Sequence, residues 1–302
     1  MKHIAVLMGG WSAEREVSLR SGKACADALE GQGYKVTRVD VARDVAEVLA
    51  RLKPDVAFNV LHGHPGEDGT IQGILEILRI PYSHSGVLAS ALAMNKAMAK
   101  HALTAAGVPV PDGRVVSRTE AAKAHALPRP YVLKPISEGS SVGVFIVTEE
   151  HAHPPQELTR ADWTFGEELL AERFIPGLEL TCAVLGDKPL GVIEIEAATR
   201  FYDYEAKYAP GGSRHILPAR IDAGVYARVQ AMTLAAHRAL GCRGVTRSDF
   251  RYDPRADELI CLEVNTQPGM TETSLVPELA AHAGLSFARL VQWMAEDASL
   301  ER

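Results

Sequence analysis

Residues 245–265 read VTRSDFRYDPRADELICLEVN, and the interpretation of the whole chain turns on them. Two runs of alternating apolar residues flank DPRAD, so the pattern predicts antiparallel strands over 245–252 and 258–264 joined by a turn. Side chains two apart on a strand face the same side. Arg247 therefore shares a face with Asp249, and Glu263 with Asn265. With Tyr252 opposite Glu258, Asp249 falls opposite Cys261 and Arg247 opposite Glu263, which puts the four polar groups on one face. A one-residue bulge would break that register. Two carboxylates, an amide oxygen and a guanidinium suit Mg²⁺ bound to a nucleotide, because Mg²⁺ takes oxygen ligands and completes its shell with water and substrate phosphate. The arginine can answer charge developing on a transferred phosphoryl group or an oxyanion. A salt-bridged, solvent-facing strand is the competing reading. The glycine turn TQPGMT directly after Asn265 favours a site.

Working outward, residues 134–144 read KPISEGSSVGV. Lys134 ends a strand predicted over 131–135, and a loop of small residues leads to the next strand at 143–148. Gly139, Ser140, Ser141 and Gly143 let backbone N–H groups approach anionic oxygens. A plain hairpin turn would use the same residues; beside the hairpin carboxylates, the loop reads as a phosphate lid. No G-x-x-x-x-G-K-[ST] pattern occurs, which excludes a Walker-type phosphate loop.

The first ninety residues alternate strand and helix signals. A continuous apolar run over 4–8, ending at Gly9 and Gly10, predicts a buried parallel strand. A helix over 16–30, a strand over 34–40, a helix near 45–52, a strand over 55–61 and a helix over 70–78 follow. That order implies a small parallel sheet covered by helices on both faces. After a helix near 90–106, VPVPDG reads as a linker. Strands at 168–174, 179–185 and 189–196 join those at 131–148 in a largely antiparallel α+β region. The stretch 197–220 has few periodic apolar positions and reads as a long irregular loop, a common form for a lid. A helix over 222–240, N-capped by Asp222, places Val225, Val229, Met232, Ala236 and Leu240 on one stripe.

The 302 residues predict two or three domains. A 47% hydrophobic, 23% charged composition is that of a globular protein, and a net charge of −6 argues against nucleic acid or an anionic membrane as the main partner. The four cysteines lie far apart with no C-x-x-C pair, so reduced thiols in a cytoplasmic protein are expected. The short apolar run after Met1 does not make a secretory segment, and no run is long enough to span a bilayer.

Other motifs carry less. GGWSAEREVS opens a helix without G-x-G-x-x-G spacing, so dinucleotide binding is disfavoured; its helix-terminal N–H groups could hold a carboxylate or phosphate, and Glu14 either anchors an ammonium or complements the helix dipole, the dipole reading winning when the motif is taken alone. His62 and His64 lack a third metal ligand at suitable spacing and read as hydrogen-bonding loop residues. His151 and His153 read as a solvated loop. Met94 and Met98, at i and i+4, read as core.

Six stretches in order, GGWSAEREVSLRSG, HGHPGEDGTIQGILE, SGVLASALAMNK, KPISEGSSVGV, FYDYEAKY and LEVNTQPGMTETSLVP, resemble the D-alanine–D-alanine ligases of the ATP-grasp superfamily over essentially the whole chain. The resemblance implies an ATP-grasp fold: a Rossmann-like substrate domain over 1–95, a central domain with the phosphate lid over 96–180, and a C-terminal domain over 181–302, with ATP between the last two. By position, Lys96 and Lys134 would bind phosphates, Glu172 and Ile175 the adenine edge, Glu179 the ribose hydroxyls, and Lys207 the γ-phosphate. Asp249, Glu263 and Asn265 match the family's ligands for two Mg²⁺ ions, with Mn²⁺ able to substitute. Glu14 would orient the first D-alanine through hydrogen bonds running by Ser140 to Tyr208, with His62 beside it. Ser274 and Leu275 would meet the second substrate's carboxylate.

The implied chemistry makes D-alanyl-D-alanine through an acyl phosphate, with Arg247 stabilising the oxyanion and the loops at 137–143 and 197–220 closing over it. A homodimer is usual in the family. His84 and Asn95 depart from the family's usual glycine and aspartate. Three rivals remain: a ligase for D-lactate or D-serine, another ATP-grasp carboxylate–amine ligase, and a nucleotide-binding regulator without catalysis. Tyr208 favours the dipeptide, since depsipeptide-forming members tend to carry histidine there. The retained Lys134, Arg247 and acidic ligands speak against the regulator.

Overall fold

The computed structural model describes residues 1–139, 142–197, 212–271 and 273–300. Strand β1 (His3–Gly9) is the axis of the N-terminal sheet, with β2 (Lys35–Val41) and β3 (Val56–Asn59) parallel on either side of it. Successive side chains on a strand point to opposite faces, and here both faces are covered. Ile4 and Val6 pack into a cluster with Leu29 of the helix Arg15–Gly31 and with Leu290, Val291 and Met294 of the helix Phe287–Asp297. Ala5 and Leu7 pack with Val45 and Leu49 of the helix Val45–Leu52 and with Ile71 and Leu75 of the helix Thr70–Leu78. Two-sided burial is why β1 reads as an unbroken apolar run. Tyr82 bridges to Ala57 in parallel and to Ser299 antiparallel, so the sheet edge is closed from far along the chain.

The helix expected near 90–106 is two helices, Val87–Met94 and Lys96–Ala105. Asn95 separates them: its backbone is extended, and its side-chain oxygen accepts a 3.0 Å hydrogen bond from the Met98 N–H. Asparagine competes with the helical backbone by such local bonds and so caps a helix more readily than it continues one. The break corrects the reading of Met94 and Met98 as a core pair, because Met98 is 50% exposed while Met94 lines a cleft.

An antiparallel sheet of order β4-β7-β5-β6 follows, from β4 (Gly113–Ser117), β5 (Tyr131–Pro135), β6 (Phe145–Val147) and β7 (Glu168–Arg173). The pattern-based reading misses β4, an edge strand whose Gly113, Arg114 and Val115 are all exposed, so no apolar alternation marks it. The five-stranded sheet has order β10-β9-β8-β11-β12, from β8 (Leu178–Leu185), β9 (Lys188–Ala197), β10 (Ser213–Ile216), β11 (Val245–Asp253) and β12 (Glu258–Asn265). Strand β10 lies inside the stretch read as irregular, pairing with the end of β9. One face of this sheet carries the helix Ala223–Ala239 through Val225, Val229 and Ala236; Asp222 caps it, accepting from Val225 N at 2.9 Å. The other face carries Leu275, Val276 and Leu279 of the helix Leu275–His282.

The β11–β12 register differs from the expected one in two places. The turn is tighter, pairing Asp253 with Glu258 and Tyr252 with Leu259, and a bulge then shifts the pairing between Asp249 and Phe250. Each shift moves the register by one residue, and one alone would exchange the faces. Together they restore parity, so Asp249 sits opposite Glu263 and Arg247 opposite Asn265. The shared polar face survives, with different partners.

Candidate active site

Glu14, His62, Lys96, Arg247, Glu263, Asn265, Ser274 and Leu275 line one cleft around a cavity of about 130 Å³. Its floor is the polar face of β11 and β12. The Arg247 guanidinium grips Asp249 through Nε at 2.9 Å and Nη2 at 2.8 Å, and Thr181 on β8 donates to the same carboxylate at 2.7 Å. Lys96, at the first turn of its helix because Asn95 breaks the preceding one, lies 3.7 Å from Glu263 and donates to the Glu138 carbonyl at 2.5 Å. Asn265 Oδ1 accepts from the Gln267 N–H at 2.8 Å.

One wall comes from the N-terminal sheet. A Cβ on Gly139 would lie 3.1 Å from Glu14 Oε2, so a glycine there lets the loop after β5 come close to that carboxylate. His62 is buried, with Nδ1 3.2 Å from Glu67 Oε1, and its Nε2 has no hydrogen-bond partner among the described residues. Burial lowers the imidazole pKa, but the Glu67 hydrogen bond and the charges of Glu67 and Glu14 outweigh it, and the net direction is upward. Burial drives Glu67 upward as well, against the pull of His62. The opposite wall is the start of the helix Leu275–His282. Ser274 Oγ accepts from Thr271 N at 3.0 Å and lies 2.8 Å from Thr271 Oγ1. A helix N-terminus offers N–H groups and a positive dipole end to a carboxylate.

The remaining expected residues form a second cluster along β5, β7 and the start of β8. Glu172, 2% exposed, takes Lys134 on one carboxylate oxygen at 2.5 Å and Lys100 on the other at 2.6 Å. Ile175 is buried, and its carbonyl accepts from Arg251 Nε at 3.1 Å; Arg251 also reaches Glu179 at 3.4 Å. Gly177 is required in the turn between: its φ is +97°, and a Cβ would lie 2.0 Å from the Tyr252 carbonyl oxygen. The two clusters adjoin at Cys261. Its thiol is pushed up by burial and by Asp249 and Glu263, with Lys134 opposing. Ser140, Lys207 and Tyr208 lie outside the described residues.

Sequence reasoning missed Lys100, Glu67, Glu138, Thr181 and Thr271. Lys100 stands one helical turn after Lys96, and Glu67 belongs to the quoted HGHPGEDG loop, so those two were within reach. Thr181 enters only through the pairing of β8 with β11. Among the described residues no three His, Cys, Asp or Glu side chains gather as a metal site. Two carboxylates and an amide oxygen still fit Mg²⁺, which binds through one or two carboxylates with phosphate and water supplying the rest. His84, at the position of a family glycine, has a left-handed φ of 70°, a conformation glycine adopts at no steric cost. Burial drops its pKa to about 4, so it is neutral at pH 7.

Two family models match the chain: "D-ala D-ala ligase C-terminus" over residues 103–296 and "D-ala D-ala ligase N-terminus" over residues 46–85. A D-alanine--D-alanine ligase of Xanthobacter autotrophicus is 78% identical over 304 aligned positions, covering 100% of this chain and 99% of that protein. One from Azorhizobium caulinodans is 73% identical with the same coverage. Among solved structures, the D-alanine--D-alanine ligase of Bacillus anthracis complexed with ATP superposes with a TM-score of 0.82 at 31% identity, covering 98% of this chain and 97% of that one. The VanG D-Ala:D-Ser ligase of Enterococcus faecalis gives 0.79 at 32% identity, covering 97% and 98%.

Proposed function

The chain belongs to the D-alanine–D-alanine ligase family, and from that premise we infer that it joins two molecules of D-alanine to D-alanyl-D-alanine at the expense of ATP, releasing ADP and phosphate. The observation that carries this is the single cleft in which Glu14 and His62 face the Arg247, Glu263 and Asn265 floor, with the helix N-terminus at Ser274 closing the far side.

A carboxylate does not condense with an amine in water because its oxygen is a poor leaving group. Transfer of the γ-phosphoryl of ATP to the carboxylate of the first D-alanine makes an acyl phosphate. The amine of the second D-alanine then attacks, and the tetrahedral intermediate expels phosphate. Glu14 and His62 hold the first D-alanine, with Ser140 and Tyr208 extending that network. Ser274 and Leu275 present the helix terminus to the second substrate's carboxylate. Lys96, Lys134 and Lys207 meet the phosphates, Glu172 and Ile175 the adenine, and Glu179 the ribose. Arg247, already fixed by Asp249, offers N–H groups to the oxyanion and the phosphoryl in flight. Asp249, Glu263 and Asn265 would hold Mg²⁺, or Mn²⁺ in its place, which neutralises phosphate charge when bound.

The three-domain division at 95 and 180, a homodimer, a cytoplasmic location and a role in supplying peptidoglycan precursors complete the proposal. Among the described residues no helix is long and apolar enough to cross a membrane. The test is ADP release with D-alanine, with L-alanine, and with D-alanine plus D-lactate, with products identified by mass. D-alanine alone should drive turnover and yield the dipeptide. No ADP from D-alanine, or a depsipeptide as the main product, would overturn the reading.

A further inference from the structure

Two loops meet at the cleft from opposite ends of the sequence. The loop after β3 carries His62 and Glu67, and the turn after β12 carries Thr266, Gly269, Thr271 and Ser274. They are joined by one pair of side chains that do not line the cleft, Asn59 and Gln267, 208 residues apart and each 1% exposed. Two bonds join them: Gln267 Nε2 donates to the main-chain carbonyl of Asn59, and Asn59 Nδ2 donates to Gln267 Oε1 at 3.2 Å. Asn59 further ties down its own loop, donating to the Gly66 carbonyl at 3.0 Å and accepting from Leu61 N at 3.1 Å. Gln267 ties down its own turn through its backbone N–H on Asn265.

We propose that Gln267 is a positioning residue for the second half of the reaction: with Asn59 it sets the distance between the acyl-phosphate side of the cleft and the subsite at Thr271 and Ser274 that takes the attacking D-alanine. This rests on the ligase reading above. Core amides buried for stability alone could be anywhere in the fold. These two instead join the loops that must present the two substrates to each other, and a buried pair resists small displacements because breaking it strands polar groups away from water. A misplacement of about 1 Å between reacting groups can cost about 10²-fold in rate.

The two half-reactions can be read separately. Hydroxylamine attacks an acyl phosphate directly, forming a C–N bond to give the hydroxamate as the acyl–oxygen bond breaks and phosphate leaves, and it needs no carboxylate subsite. Gln267→Met keeps the volume and removes both side-chain bonds. ATP-dependent D-alanyl hydroxamate formation should stay within about twofold of wild type, while dipeptide formation falls at least tenfold and the KM for the second D-alanine rises. Gln267→Glu keeps the oxygen that accepts from Asn59 but sets a second carboxyl oxygen against the Asn59 main-chain carbonyl in place of the donated bond; it serves if the methionine variant does not fold, and must show the same split. Equal loss of both products, or neither lost, overturns the proposal. A wild-type enzyme making neither product would overturn the ligase reading instead.

Discussion

Glu172→Gln probes a buried carboxylate held between two cations. The Glu172 carboxylate is buried between two ammonium groups, 2.5 Å from Lys134 and 2.6 Å from Lys100. Glutamine keeps the shape and removes the charge, leaving two cations facing an amide. Breaking a buried ion pair from one side typically costs about 3–5 kcal/mol. For 302 residues unfolding as one unit this lowers Tm by about 5–8 °C. The pH dependence checks the cause. Burial holds the Lys100 pKa below its usual 10.5, with Glu172 pulling the other way, so losing Glu172 deepens the depression. A lysine whose folded pKa lies below its unfolded one destabilises the fold while protonated, and stability recovers as pH rises from the folded value toward the unfolded one. The deficit should therefore be largest at pH 7 and shrink toward pH 10, and Lys100→Met in the same chain should remove most of it. Circular dichroism melts without nucleotide at pH 7, 8.5 and 10 would show this. A deficit that is flat with pH, or unchanged by Lys100→Met, refutes the argument.

Arg247→Ala should fold yet lose about 2.7–4 kcal/mol of transition-state stabilisation, roughly 10²–10³ in kcat; coupled-assay turnover near wild type would remove the guanidinium from the chemistry. His62 and Glu67 are both shifted upward from ordinary values of 6.5 and 4.5, so the folded protein holds more protons than the unfolded one across that window. Their contribution to stability is therefore present at low pH and is lost as pH rises through the shifted values. Glu67→Gln should flatten that slope in melts from pH 5 to 8, and an unchanged slope would place its origin elsewhere. Asn95→Ala, which deletes the cap on Met98 N, should cost about 1 kcal/mol in urea denaturation, and Asn95→Asp should restore it.

Where one residue pattern dominated, the sequence was legible almost to the residue: the helix Thr70–Leu78 and the strand Tyr131–Pro135 lie where periodicity puts them. The polar face of β11 and β12 was legible for a subtler reason. Face sharing depends only on parity, and two single-residue shifts left parity intact although every partner changed. Three features were hidden. Strand β4 buries too little to show alternation, the cap at Asn95 looks like an ordinary helix interior residue, and the Glu172 cluster joins residues 38 and 72 positions apart along the chain. Contacts of that span are decided by sheet order, which a linear pattern does not carry. The family resemblance supplied roles for residues whose spacing alone suggested none, Glu179 and Ser274 among them.

The closure of the first sheet by the helix Phe287–Asp297 and by Ser299 has a consequence for biosynthesis. Strand β1 leaves the ribosome nearly 280 residues ahead of the helix that covers Ile4 and Val6. The helix Arg15–Gly31 follows at once, but at about 5–20 residues per second that face waits roughly 15–55 s for the rest of its cover. A strand made early is thus finished late. The apolar side of β1 is the surface a chaperone would have to shield meanwhile, and a stop codon a few residues before the helix would strand a domain whose own sequence was intact.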